Sequence, residues 1–157
     1  MKFAKEINEI NITIKEFNKY LIKDYEIPCF DLKSGFENNS IVKIIHKEWD
    51  SFGFPNNGTR GVYFVFGYSE ISNDKNGIYI GKASLSSTTS NRLYSHLNPS
   101  RTKEHFTMNY GSENYIIEYM ASIDLDKLKI SFIAPALEEY LITSLKEKIN
   151  LINGTGN

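Results

Sequence analysis

Two short apolar segments, each carrying a tyrosine and separated by a polar stretch, restrict the fold of this chain more than any other feature. Residues 61–67 read Gly-Val-Tyr-Phe-Val-Phe-Gly without a polar break, a run too short for a helix and composed like a fully buried strand. Ser72-Asn73-Asp74-Lys75-Asn76 and Gly77 follow, and such turn residues predict that 77–82, Gly-Ile-Tyr-Ile-Gly-Lys, returns as an antiparallel partner. Because side chains alternate along a strand, Tyr63 shares a face with Val65 and Gly67, and Tyr79 shares one with Gly81. The simplest expectation is that both hydroxyls open onto one common face, where glycines leave room for a ligand.

The cluster from Ser86 to Ser90 supplies helix N-caps, so a short helix is expected to begin there and to end by Pro99. At 100° per residue Arg92 and His96 fall within about 40° of each other, with Leu93 and Leu97 on a separate apolar edge. The leucines can therefore anchor the helix while Arg92 and His96 face the tyrosines. Residues 98–113, with Arg101, Lys103 and His105, read as a polar loop, and 114–123 has the composition of a third strand. Residues 129–133 look like an extended lead-in to a last helix, with Pro135 in its first turn. Leu137, Leu141, Ile142, Leu145 and Ile149 make the apolar face of that helix, and Glu138 lies near the centre of the face, whereas Glu139 is on the flank. A carboxylate in the middle of an apolar stripe costs several kcal/mol unless a cation or hydrogen-bond donors receive it. Something positive is expected to meet Glu138.

Upstream, Phe3, Ile7, Ile10, Ile14, Phe17 and Leu21 are spaced 4, 3, 4, 3, 4, the pattern of an amphipathic helix. The helix is expected on its own domain's core, and the same spacing also suits a seam between two copies of the chain, a homodimer through the N-terminal helix. A second helix is expected over about 41–52, capped by Ser40, with Val42, Ile45 and Trp49 on one face. The division anticipated is an N-terminal helical extension, 1–57, packed on the domain formed by 58–157. With 157 residues, 41% of them hydrophobic, one core is the natural outcome. The single cysteine, Cys29, excludes an internal disulfide framework, and no apolar run reaches the length of a membrane span. A cytoplasmic protein with no membrane partner is expected. The net charge of −1 gives no global sign of nucleic-acid binding. Lys75, Lys82, Arg92, Arg101 and Lys103, however, follow one another with no acid between Asp74 and Glu104, and a local basic face suffices to attract phosphate.

A tyrosine pair, an Arg/His helix and a misplaced carboxylate are together what phosphodiester hydrolysis requires. One hard divalent cation needs few protein ligands, because Mg²⁺ keeps several waters and takes phosphate oxygens; Glu138 would be the metal ligand. Arg92 would hold the phosphate through its planar fork. Read singly, each residue also has a plainer role, with the tyrosines in a core and Glu138 in a salt bridge with a cation such as Arg92.

The ordered set resembles the GIY-YIG nuclease family. Gly61-Val62-Tyr63 and Tyr79-Ile80-Gly81 match the motif for which the family is named, Arg92 and His96 match the helix that follows, and Glu138 stands in the Glu-x-x-Leu-Ile-like context of the family's metal-binding helix. The match covers about 58–153. The resemblance implies an α+β domain with a central three-stranded antiparallel sheet flanked by helices, and a DNA endonuclease that depends on Mg²⁺ or Mn²⁺ and works by a one-metal mechanism. It implies Tyr63 as general base or water-orienting group, Tyr79 as a positioner of water or phosphate, and Asn150 as a brace for the site. Lys82, His96 and the metal are the candidates for lowering the Tyr63 pKa from its usual value of about 10. Substrate contacts would come from Lys82, Arg92, Arg101 and Lys103, and sequence specificity from the N-terminal residues, the 98–113 segment or a partner. The alternative is a catalytically silent nucleic-acid- or protein-binding module of the same fold.

Overall fold

A computed structural model describes residues 2–31, 41–44, 56–72, 75–99 and 104–154. The first helix, α1 (Ala4–Asn18), follows the predicted stripe. Phe3, Ile7, Ile10 and Ile14 are fully buried and Phe17 nearly so, all within the same apolar cluster as the sheet and the last helix. The stripe is thus used inside one copy of the chain, so α1 offers no exposed apolar seam through it.

The strands are β1 (Ile41–Lys43), β2 (Gly61–Ser69), β3 (Asn76–Ala83), β4 (Asn98–Pro99), β5 (Phe106–Tyr110) and β6 (Glu113–Asp124). They pair antiparallel in the order β3-β2-β6-β5-β4, and β1 also pairs with β6, through Ile41–Lys43 and Tyr119–Ala121. The α+β class is as expected, but the sheet is wider than the three strands anticipated. The segment read as a polar loop supplies β4 and β5. Phe106 and Met108 are buried on the sheet, and they alternate with Thr107 and Asn109 at the two-residue period of a strand. Likewise Ile41–Lys43 is a strand and not the start of a helix, as the adjacent β-branched pair Ile41-Val42 favours. The remainder of that expected helix, with Ser40, Ile45 and Trp49, lies outside the described residues.

Helices cover both sides of the sheet. Val62, Phe64, Phe66, Ile78 and Ile80 point to a core shared with α1 and with α3 (Ala134–Leu145). Tyr63, Val65 and Tyr79 point to the other face, into a core shared with α2 (Thr89–His96) through Leu93 and with the adjoining Leu97. Thr88 caps α2 by accepting a hydrogen bond from the Asn91 amide. The approach to α3 is a 3₁₀ turn, Ser131–Ile133, where an extended lead-in was expected, and Pro135 stands in the first turn of the helix as predicted. All five residues assigned to the apolar face of α3 are buried. After α3 the chain runs back along the outer edge of β3: the Ile78 amide donates to the Asn150 carbonyl and the Ile152 amide to the Ile78 carbonyl. That cover satisfies backbone groups that an edge strand otherwise leaves open.

Candidate active site

The register of β2 and β3 opposes Tyr63 to Gly81 and Val65 to Tyr79, so the two tyrosines are diagonal neighbours on the α2 face. Their rings stack with centroids 6.2 Å apart. The shared face is therefore as expected, but it is closed. Tyr63 is fully buried and Tyr79 is 4% exposed. The space left by the missing side chain of Gly81 holds the Tyr63 ring, since a β-carbon there would lie 2.4 Å from it; at Gly67 the neighbours are the Ile116 carbonyl and the Ile117 side chain. The glycines serve close packing rather than a ligand cavity.

The Tyr63 hydroxyl is buried beside the Tyr79 hydroxyl and, among the described residues, makes no hydrogen bond of good geometry. Burial, and next the neighbouring Tyr79, push its pKa far above the ordinary tyrosine value, and Arg92 opposes this only in part. The chain by itself therefore does the reverse of what a phenolate base needs. The Tyr79 hydroxyl lies 3.4 Å from His96 Nε2, with the two rings 5.2 Å apart. Burial and then Glu138 raise the Tyr79 pKa; burial and then Arg92 lower that of His96, so the imidazole is neutral near pH 7. Neither residue expected to acidify Tyr63 does so: His96 is uncharged, and Lys82 is bound elsewhere.

Lys82 is bound to Glu138. Its Nζ lies 2.5 Å from Glu138 Oε2, with side-chain exposures of 33% and 16%. The predicted positive partner of the carboxylate thus exists, and it is Lys82 rather than Arg92. Glu139 is exposed, in keeping with the choice of Glu138. The ion pair also shows that a carboxylate on this apolar stripe can be satisfied without a metal. Lys82 and Arg92 come together with Ser84 and Ser87 around a pocket of about 130 Å³ at the open end of β3. Arg92 is exposed, and no hydrogen bond or ion pair among the described residues takes up its guanidinium. The pocket thus offers one free cation, one cation shared with a carboxylate, and two hydroxyl-bearing residues, a donor-rich set suited to anionic oxygens. Of the remaining basic run, Lys75 pairs with Glu113, while Arg101 and Lys103 lie outside the described residues.

Asn150 is not at this site. It is exposed, and its side chain donates to the Asn76 carbonyl at the start of β3. The brace is Asn153, buried to 1% exposure: Nδ2 donates to the Ile80 carbonyl at 2.6 Å and Oδ1 accepts from the Ile80 amide at 3.1 Å. Both arms clamp the residue between Tyr79 and Gly81. Asn153-Gly154 reads as turn composition in sequence, and only the fact that β3 is an edge strand gives the side chain its partner.

Among the described residues no group of three or more His, Cys, Asp or Glu could hold a metal. A single carboxylate, that of Glu138, suits a hydrated hard cation better than a fully protein-ligated one. Comparison with protein-family models, with curated proteins and with solved structures found no match.

Proposed function

We propose that this chain is a GIY-YIG-type endonuclease that hydrolyses DNA phosphodiester bonds with Mg²⁺ or Mn²⁺. The observation that carries the reading is the pocket formed by Lys82, Ser84, Ser87 and Arg92, with Glu138 against Lys82 and the stacked tyrosines behind it. Strands β3, β2 and β6 are adjacent in the sheet, which is compatible with a three-stranded unit to which β5, β4 and β1 are additions.

Arg92 binds and orients the phosphate, and the serine hydroxyls donate to its oxygens. Glu138 would hold the cation, which when bound supplies Lewis-acid charge neutralisation at phosphate. Lys82 holds the Glu138 carboxylate in place in the free chain and would leave one of its oxygens for the ion. Burial keeps Tyr63 protonated, so its role here is to orient the attacking water with an otherwise unused hydroxyl. Tyr79, held against His96, supports the Tyr63 ring. The Lys82–Glu138 pair also favours a second reading, a module of the same fold that binds nucleic acid or protein without cutting.

The test is nicking of supercoiled plasmid with Mg²⁺ or Mn²⁺, with and without chelator, beside Arg92→Ala and Glu138→Gln. Metal-dependent nicking that falls at least about 100-fold in both variants is expected. Equal nicking by all three proteins overturns the residue assignment, and absence of nicking on several DNAs favours the binding module.

A further inference from the structure

The turn that connects β3 to α2 carries a residue the catalytic reading does not use. The Ser87 amide donates to the Ser84 carbonyl at 3.1 Å, closing a four-residue turn with Leu85 at its first central position. There Leu85 has φ +57°, a left-handed conformation that glycine or asparagine adopts readily and a branched side chain does not. Its side chain is 87% exposed, so no packing offsets either the strain or the exposed apolar surface. Both ends of the turn, Ser84 and Ser87, line the same pocket as Lys82 and Arg92. A leucine is thus held outward on the rim of a cationic pocket.

We propose that Leu85 is a wedge that enters the base stack of duplex DNA while the pocket holds the adjacent backbone phosphate. The inference rests on the nuclease reading and adds to it the form of substrate: a duplex locally unstacked at the site of attack. The partner must present anionic oxygens and an apolar slot within one turn's width of each other. DNA does so at every step, with phosphates outside stacked bases, and apolar side chains inserted at a step kink the duplex. A lipid surface also combines phosphate with an apolar phase, but one leucine provides little of the buried apolar area on which such binding depends.

The test uses a duplex bearing 2-aminopurine at several positions, with Ca²⁺ in place of Mg²⁺ so that strands stay intact. Wild-type protein is expected to raise the fluorescence several-fold as bases unstack. Leu85→Ala and Leu85→Gly should abolish the rise while their affinity for the duplex, followed by anisotropy, stays within about tenfold of wild type; Leu85→Phe should retain it. Leu85→Gly relieves the backbone strain, so a loss of signal there, with an unchanged or higher Tm, cannot come from misfolding. An unchanged rise in the Ala and Gly variants, or wild-type binding without any rise, overturns the wedge. So does failure of the wild type to bind the duplex, or a Leu85→Ala defect seen on phosphatidylserine vesicles and not on DNA. A fluorescence rise without plasmid nicking would retain the wedge and remove the nuclease reading.

Discussion

The Tyr63 hydroxyl is the most informative single group among the described residues, because it is buried and makes no hydrogen bond of good geometry there. Leaving a hydroxyl unsatisfied costs about 1–3 kcal/mol, so Tyr63→Phe is expected to leave chemical-denaturation stability unchanged or raise it by about 1 kcal/mol. The same change should lower plasmid nicking by about 100-fold or more if the hydroxyl orients the attacking water. A variant that loses stability and activity together would mark the hydroxyl as structural. Glu138 makes a related point. Its odd position on an apolar face was legible in sequence, as was the need for a cation, but which cation could not be read. Lys82 and Arg92 both stand in the basic run and lie dozens of residues from Glu138 in sequence, and only the edge position of Lys82 on β3, facing α3, brings its ammonium to the carboxylate.

At the scale of the element, β3 is held from both sides, by hydrogen bonds to β2 within the sheet and by the chain after α3 at its outer edge. Asn153 makes that second contact specific to Ile80. Asn153→Ala would strand one buried donor and one buried acceptor and is expected to cost about 2–4 kcal/mol in urea unfolding. It should also speed hydrogen exchange in β3 more than in β6, and a uniform change across the sheet would contradict the clamp. Periodicity revealed α1 and α3, whose buried faces repeat every 3.6 residues, while β2 and β3 were legible as short apolar runs bounded by turn residues and α2 from its capping cluster. It failed at β4 and β5, where polar Asn98, Thr107 and Asn109 dilute the pattern. It failed also at Ile41–Lys43, where three residues are too few to distinguish a strand from a helix. Strand composition there becomes a strand only because β6 has a free edge to pair with.

Across the whole molecule, the net charge of −1 conceals a division of labour. Glu113 and Glu138 occupy Lys75 and Lys82, leaving Arg92 as the exposed guanidinium among the described residues of the basic run. Stability should report the same site through His96, which faces Tyr79 from β3 and has Arg92 on its own helix. Its folded pKa is depressed from 6.5, so the unfolded chain binds more protons in the interval just below that value. Its contribution is complete above 6.5 and is lost as pH falls through the lower, folded pKa. The expected result is a Tm that rises with pH up to about 6.5 more steeply in wild type than in His96→Gln; parallel profiles would refute it.

The sequence by itself determined the α+β class, the antiparallel tyrosine strands, the faces of three helices and the set of side chains able to meet a phosphate. Those follow from period, composition and local chemistry, which are properties of neighbouring residues. Only the tertiary structure decided that the tyrosine face is closed, that Glu138 meets Lys82, that Asn153 and not Asn150 braces β3, and that Leu85 stands at the rim. Each of these depends on which strand lies at the edge and on what fills the space beside a glycine, and such contacts between distant residues leave no periodic trace along the chain.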